Sequence, residues 1–205
     1  MGLIKKQEEF KPQEQTEEIS FELLIKDLND EDPQKRLLAA RLLGNYKEAS
    51  IYLVDRLGKE THPVVRESII SSLASIKDEI SIKGLIDCLR SDDAKLRNSA
   101  VEALSQLPDE VDSYMKGLIH DKDRDVRIFA ANIAGLMNHP KAIYWLIEIV
   151  ENDEDVNVCG TALNELAELG IEESKEAILK AKERFKNEPY IQFAADLALK
   201  RIDNG

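Results

Sequence analysis

Three histidines, two cysteines and two dense acidic runs are the residues of this chain whose types lend themselves to chemistry. His62, His120 and His139 would build a metal centre only if a step such as Glu-x-x-His placed two ligands on one helix face, and no such step occurs. They read instead as a loop or cap residue, a helix-end residue and a turn residue before Pro140. Asp121-Lys122-Asp123-Arg124-Asp125 has the alternating oxygens that open a calcium loop, but Val126 stands where such a loop needs Gly and Asn132 where it needs Glu. Asp153-Glu154-Asp155 fails in the same way at Val158. Cys88 and Cys159, 71 positions apart, make neither a disulfide framework nor a zinc pair. Cys159 sits near a helix start, which can lower a thiol pKa, yet it has no suitable histidine partner. Gly-x-Ser-x-Gly and Gly-rich phosphate loops are absent from the sequence. The expectation is a chain with no catalytic, cofactor-binding or metal-binding residues.

The Asp and Arg residues obey a stricter rule. An acid or His, often a Pro, two variable residues, Arg and then small apolar positions recur at Asp32–Ala40, His62–Ile70, Asp93–Val101 and Asp123–Ala131. Two degenerate copies follow, with Cys159 and Gln192 in the Arg slot, and the six slots lie 30, 31, 30, 32 and 33 residues apart. Each copy opens a helix: Asp32, Asp93, Asp123 and Asp155 can cap free N–H groups, and Pro33, Pro63 and Pro189 suit the first turn. Counted from the slot, positions −1, +3, +4, +7 and +10 are mostly apolar, the stripe of a helix. A second apolar segment precedes each copy: Phe21–Leu28, Ala49–Leu57, Ile80–Leu89, Val111–Ile119, Ala142–Val150 and Glu172–Phe185. The unit is helix–turn–helix–turn, and because no single pair buries both faces, the pairs must stack. The spacing predicts an all-α superhelix of about six pairs, with repeats near 20–46, 47–76, 77–107, 108–137, 138–169 and 170–203, and a polar, flexible tail over 1–19. Asp and Arg four apart are expected to pair with each other or with the next repeat.

Composition narrows the class of job. With 28 basic and 40 acidic residues the net charge is −12, which disfavours a nucleic-acid binder or a binder of anionic membranes. No apolar stretch approaches the ~18 residues needed to span a bilayer, and Lys5, Lys6 and Gln7 interrupt any secretory core after Ile4. A cytoplasmic location is the expectation.

The element Asp-x-x-Val-Arg-x-x-Ala-Ala-x-x-Leu-Gly, matched across Asp32–Gly44 and nearly complete at Asp123–Gly135, resembles HEAT repeats, most closely the short variety of phycobilisome-lyase-like (E–Z type) proteins. The resemblance covers about residues 20–203 and implies an α-solenoid. It also implies a second possible job, as an accessory or lyase-like protein acting on a protein-bound tetrapyrrole or similar cofactor. Some HEAT-repeat enzymes, deoxyhypusine hydroxylase among them, hold two irons with paired His-Glu steps; this sequence has no His-Glu dipeptide. A HEAT-like DNA glycosylase would need a basic inner face with aromatic stacking residues, which the sequence does not supply.

The leading expectation is a non-catalytic scaffold or adaptor that binds another protein. In solenoids of this kind the second helices line the concave side, and their +5 positions read Arg41, Ser71, Glu102, Asn132 and Asn164. Ile128 and Phe129, adjacent at +1 and +2, are hard to bury together, so one is expected to offer an apolar anchor site. Residues 138–169 hold seven acids against Lys141 alone. The run Glu151, Asp153, Glu154 and Asp155 is therefore expected to edge the groove and attract a partner with a basic and apolar surface. Tyr52, Tyr114 and Trp145, with Tyr144 beside it, mark an alternative convex stripe.

Overall fold

The repeat signal becomes six antiparallel helix pairs in the computed structural model, which describes residues 20–204. They are α1 (Phe21–Asp27) with α2 (Pro33–Leu43), α3 (Ser50–Leu57) with α4 (Pro63–Ile76), and α5 (Glu79–Cys88) with α6 (Ala94–Ser105). Next come α7 (Pro108–Ile119) with α8 (Arg124–Leu136), α9 (Ala142–Asn152) with α10 (Val156–Leu169), and α11 (Lys175–Arg184) with α12 (Pro189–Asn204). Among the described residues there is no strand. The tail expected over 1–19 lies outside the described residues.

Local chemistry sets the helix starts. Asp32 Oδ1 accepts from the Gln34 N–H at 2.9 Å, Asp93 from Lys95 at 2.8 Å, Asp123 from Asp125 at 3.0 Å and Asp155 from Asn157 at 2.8 Å. Two starts differ from expectation by more than one residue. α7 opens at Pro108 rather than Val111, because Pro suits the first turn and Asp109 and Glu110 face the positive end of the helix. α11 opens at Lys175, after a 3-10 turn over Glu172–Ser174 in which the Ser174 hydroxyl donates to the Ile171 carbonyl at 2.7 Å.

The core runs the length of the stack. Position +3 of every second helix is fully buried: Ala39, Ile69, Ala100, Ala130, Ala162 and Ala195. Five of these six are Ala, so the second helices approach closely; Leu28, Leu53, Leu85, Met115 and Leu146 fill the other side, each contributing about 2–3 kcal/mol of burial. Each second helix packs on its successor from α2 to α12, whereas close packing among first helices is confined to α3–α5, α7–α9 and α9–α11. A stack that is tight in one layer and spread in the other curves toward the tight layer, which puts the second helices on the concave side.

The Arg slots hold the joints. Each slot side chain donates to a carbonyl in the turn just upstream, where the preceding helix leaves acceptors without partners. Arg36 reaches the Asp30 carbonyl at 3.0 Å, Arg66 that of Glu60 at 2.9 Å, Arg97 that of Ser91 at 2.7 Å and Arg127 that of Asp121 at 2.8 Å. Cys159 donates its S–H to the Asp153 carbonyl at 3.0 Å, and Gln192 its amide to Phe185 at 3.2 Å. The acids of the next repeat complete the ladder. Arg36 pairs bidentately with Glu60 at 2.8 and 3.0 Å, Arg66 with Asp93 at 2.5 Å, and Arg127 with Asp153 at 2.6 Å. Repeat three departs from this rule, because Arg90 takes Asp121 at 2.5 Å and Arg97 lies instead 5.7 Å from the centre of the Phe129 ring.

Glu60 is the most buried of these acids, only 3% exposed. Besides Arg36 it binds Arg56 at 2.8 Å and accepts the backbone N–H groups of Thr61 and His62 at 3.0 and 2.8 Å. It thus fixes the turn that enters α4, whose N-cap residue, His62, makes no side-chain cap bond.

Candidate functional site

The groove assembles from residues spaced one repeat apart. Arg41, Ser71 and Glu102 are exposed on α2, α4 and α6, and Asn132 is half-buried on α8. Three depressions run along this face. One of 430 Å³ lies between α2 and α4 and includes Arg41, Glu67 and Ser71. A second of 220 Å³ shares Glu67 and Ser71 with it and extends to Glu102 and Gln106. The third, 660 Å³, shares Glu102 and Gln106 and continues through Phe129, Asn132 and Leu136 to Glu165 on α10. Shared walls make them one groove from repeat one to repeat five.

Of the apolar pair, both members are half-buried, and it is Phe129 that lines the groove, beneath the Arg97 guanidinium. Asn164 is exposed but engaged, its amide donating to the Tyr190 hydroxyl at 3.1 Å. Several groove residues escaped the sequence reading, Leu136 and Glu165 among them. Leu136 is 63% exposed on the last turn of α8, and Glu165 lies one residue past the +5 row. A methyl group at Gly135 would stand 2.6 Å from Glu165 Cγ and overlap its carboxylate, so this glycine lets the acid lie flat on α8.

The acidic run of repeat five does not join the groove. It occupies the end of α9 and the turn into α10, beside a separate depression of 290 Å³ that includes His120, Arg127 and Glu148. Its charges are largely matched within the array. Asp153, with a side chain 8% exposed, is held by Arg127; Asp155 caps α10 and lies 3.8 Å from Arg124; Glu151 pairs with Lys180 at 3.4 Å. Glu154 is exposed at the rim. Asp153 and Asp155 serve the joint, because basic residues from α8 come opposite them in the stack.

Arg184 is a further residue the repeat pattern does not mark. Reaching back from α11, it donates to the Val150 and Asp153 carbonyls at 2.7 and 2.9 Å, and to that of Glu151. It supplies the guanidinium that Cys159, in the Arg slot, lacks.

The reactive residue types sit in structural surroundings. Burial pushes the Cys88 and Cys159 thiols up to about 11, so the helix start does not activate Cys159. His120 meets Glu148 at 2.8 Å on the exposed edge, and His139 stacks on Trp145 with ring centres 5.2 Å apart. Among the described residues no group of three His, Cys, Asp or Glu side chains is arranged to hold a metal ion. On the convex side Trp145 is buried and Tyr114 half-buried, while Tyr52 and Tyr144 are exposed.

The family profile of HEAT repeats matches residues 21–105 and 111–203. The chain belongs to the HEAT-repeat family. Solved structures similar to this HEAT-repeat chain include an archaeal HEAT-like repeat protein from Thermococcus onnurineus, with 16% identity, 90% of this chain and 87% of that one covered, and a TM-score of 0.49. An engineered protein aligns at 22% identity over 90% of this chain and 96% of its own, TM-score 0.41. The complex of CpcE and CpcF of phycocyanin lyase from a Nostoc species aligns at 21% identity over 98% and 99% of the two chains, TM-score 0.37. A comparison with curated protein sequences gives no match.

Proposed function

We propose that this HEAT-repeat chain is a non-catalytic interaction scaffold that holds a segment of another protein in its concave groove. The observation that carries this reading is the continuity of the groove: neighbouring depressions share Glu67, Ser71, Glu102 and Gln106 and so form one channel across five repeats. A channel of this kind suits an extended segment better than a compact small molecule, which favours a single enclosed pocket. Its lining mixes apolar shelves at Val64, Phe129 and Leu136 with hydrogen-bonding side chains, the composition of an interface core and its rim. Three of its charged residues are acids, Glu67, Glu102 and Glu165, against Arg41, which favours a partner with basic and apolar residues.

Affinity capture from the native cell, followed by mass spectrometry, supplies a partner for the test. Phe129→Ala should weaken binding by about 1–3 kcal/mol if the ring is an anchor site. Tyr144→Ala, on the convex side and 64% exposed, should leave it unchanged. The reverse pattern would move the binding surface to the convex stripe.

A further inference from the structure

We infer that Glu165 is the seat for one cationic side chain, lysine or arginine, of the segment held in the groove, with Phe129 and Leu136 as the shelf for its aliphatic stem. The inference rests on the groove reading and specifies its occupant. Glu165 differs from the acids that hold the joints of the stack. Glu60, Asp121 and Asp153 each face a guanidinium within 2.8 Å. Glu168, one turn further along α10, pairs with Arg201 at 3.0 Å. Glu165 makes no ion pair or side-chain hydrogen bond among the described residues, although it is half-buried and lines the largest of the groove's depressions.

Three arginines of the neighbouring repeats are committed elsewhere. Arg97 donates to the Ser91 carbonyl and covers the Phe129 ring, Arg127 holds Asp153, and Arg201 holds Glu168. Burial, with Glu168 adding to it, raises the Glu165 carboxyl above the ordinary range, so the lone charge costs the folded chain stability. Gly135 beneath it keeps the position open, since any larger residue would displace the carboxylate. An incoming ammonium or guanidinium would meet Glu165 directly, with the Glu102 carboxylate and the Asn132 amide oxygen on the same wall as further acceptors. A Lys or Arg stem is long enough to lie on Phe129 and Leu136 while its head reaches the acid.

The test uses the full chain and a displayed library of random twelve-residue peptides. Selection should enrich a Lys or Arg next to an apolar residue. Glu165→Gln should weaken a selected peptide about tenfold or more, the scale of one charge-assisted hydrogen bond, and Gly135→Ala should do the same by unseating the carboxylate. Glu154→Gln, on the rim, should leave the affinity unchanged and so separates a specific seat from the general attraction of an acidic protein. Peptides that lose affinity with Phe129→Ala yet bind Glu165→Gln as before would overturn the seat and leave the groove standing. A library that yields no binder, or only peptides indifferent to Phe129, Glu165 and Gly135, would overturn both. The Glu165→Gln variant removes an unpaired charge, so misfolding does not confound the comparison.

Discussion

Replacing Glu60 by Gln tests the joint chemistry where it is most buried. Burial alone would raise the Glu60 carboxyl; the bonds from Arg36, the His62 N–H and Arg56 overcome it and hold the group at about 2, against an ordinary 4.5. A gap of this size corresponds to about 3 kcal/mol of folding free energy. The folded pKa is the lower one, so the stabilisation is complete above about pH 5.5, decays as pH falls through the ordinary value, and is gone near pH 2. In the Glu60→Gln variant Arg36 and Arg56 face a neutral amide at every pH, and at pH 7 the chain should be less stable by about 3 kcal/mol, as when one partner of a buried pair is removed. Urea unfolding of both proteins, followed by circular dichroism between pH 7 and pH 2.5, isolates the group, because all other titrations are common to the pair and cancel in the difference. That difference should shrink as pH falls, since a protonated Glu60 carboxyl and the substituted amide present similar groups to the arginines. A difference that stays constant with pH, or is under about 1 kcal/mol at pH 7, would refute the buried-pair reasoning.

The stand-in role of Arg184 invites a double-mutant cycle: Arg184→Ala should cost about 1–2 kcal/mol, and Cys159→Arg should be tolerated better in the Arg184→Ala background than in wild type, as read by thermal melting. Gly160→Ala places a methyl 2.6 Å from Tyr190 Cζ and should destabilise the α10–α12 packing by about 1–3 kcal/mol, with Tyr190→Ala relieving most of the cost. Cys88 and Cys159, with thiols near 11, should react with a disulfide reagent at pH 8 at least about a hundredfold more slowly than in denaturant; fast reaction of either would contradict their burial. Glu165 has a raised carboxyl, so its charge opposes folding at neutral pH and less so in acid. Glu165→Gln should therefore melt no lower than wild type at pH 7, and its advantage should fade toward pH 4.

The stacking plan was legible because each repeat states it again: the slot spacing, the Asp caps and the apolar stripe all point to one helix pair. The compensations were not legible, because each belongs to a contact between repeats and is out of register with the pattern. Glu60 holds the turn into a helix that His62 introduces, and Arg184 fills a slot 25 residues upstream. Sequence does not show that Arg127 comes opposite Asp153 of the acidic run across 26 positions. Glu165 is hard to single out for the opposite reason: an acid on a polar helix face is ordinary in sequence, and only the stack shows that no cation among the described residues comes to meet it.

The reach of Arg184 across a repeat boundary bears on how this array could be cut or enlarged. A solenoid of self-contained units can lose or copy any one of them, because stability is close to a sum over units and their nearest interfaces. The fifth unit is not self-contained: the turn that ends α9 draws its donors from α11, and Gly160 receives the Tyr190 ring. Deleting the sixth unit would strip both from the fifth. A duplication that copied the fifth alone would yield a repeat with a thiol where a guanidinium is needed and no lender behind it. The two units form a single inheritable block, and lineages that lengthen or shorten this array are expected to do so on the N-terminal side of that block or by moving it whole.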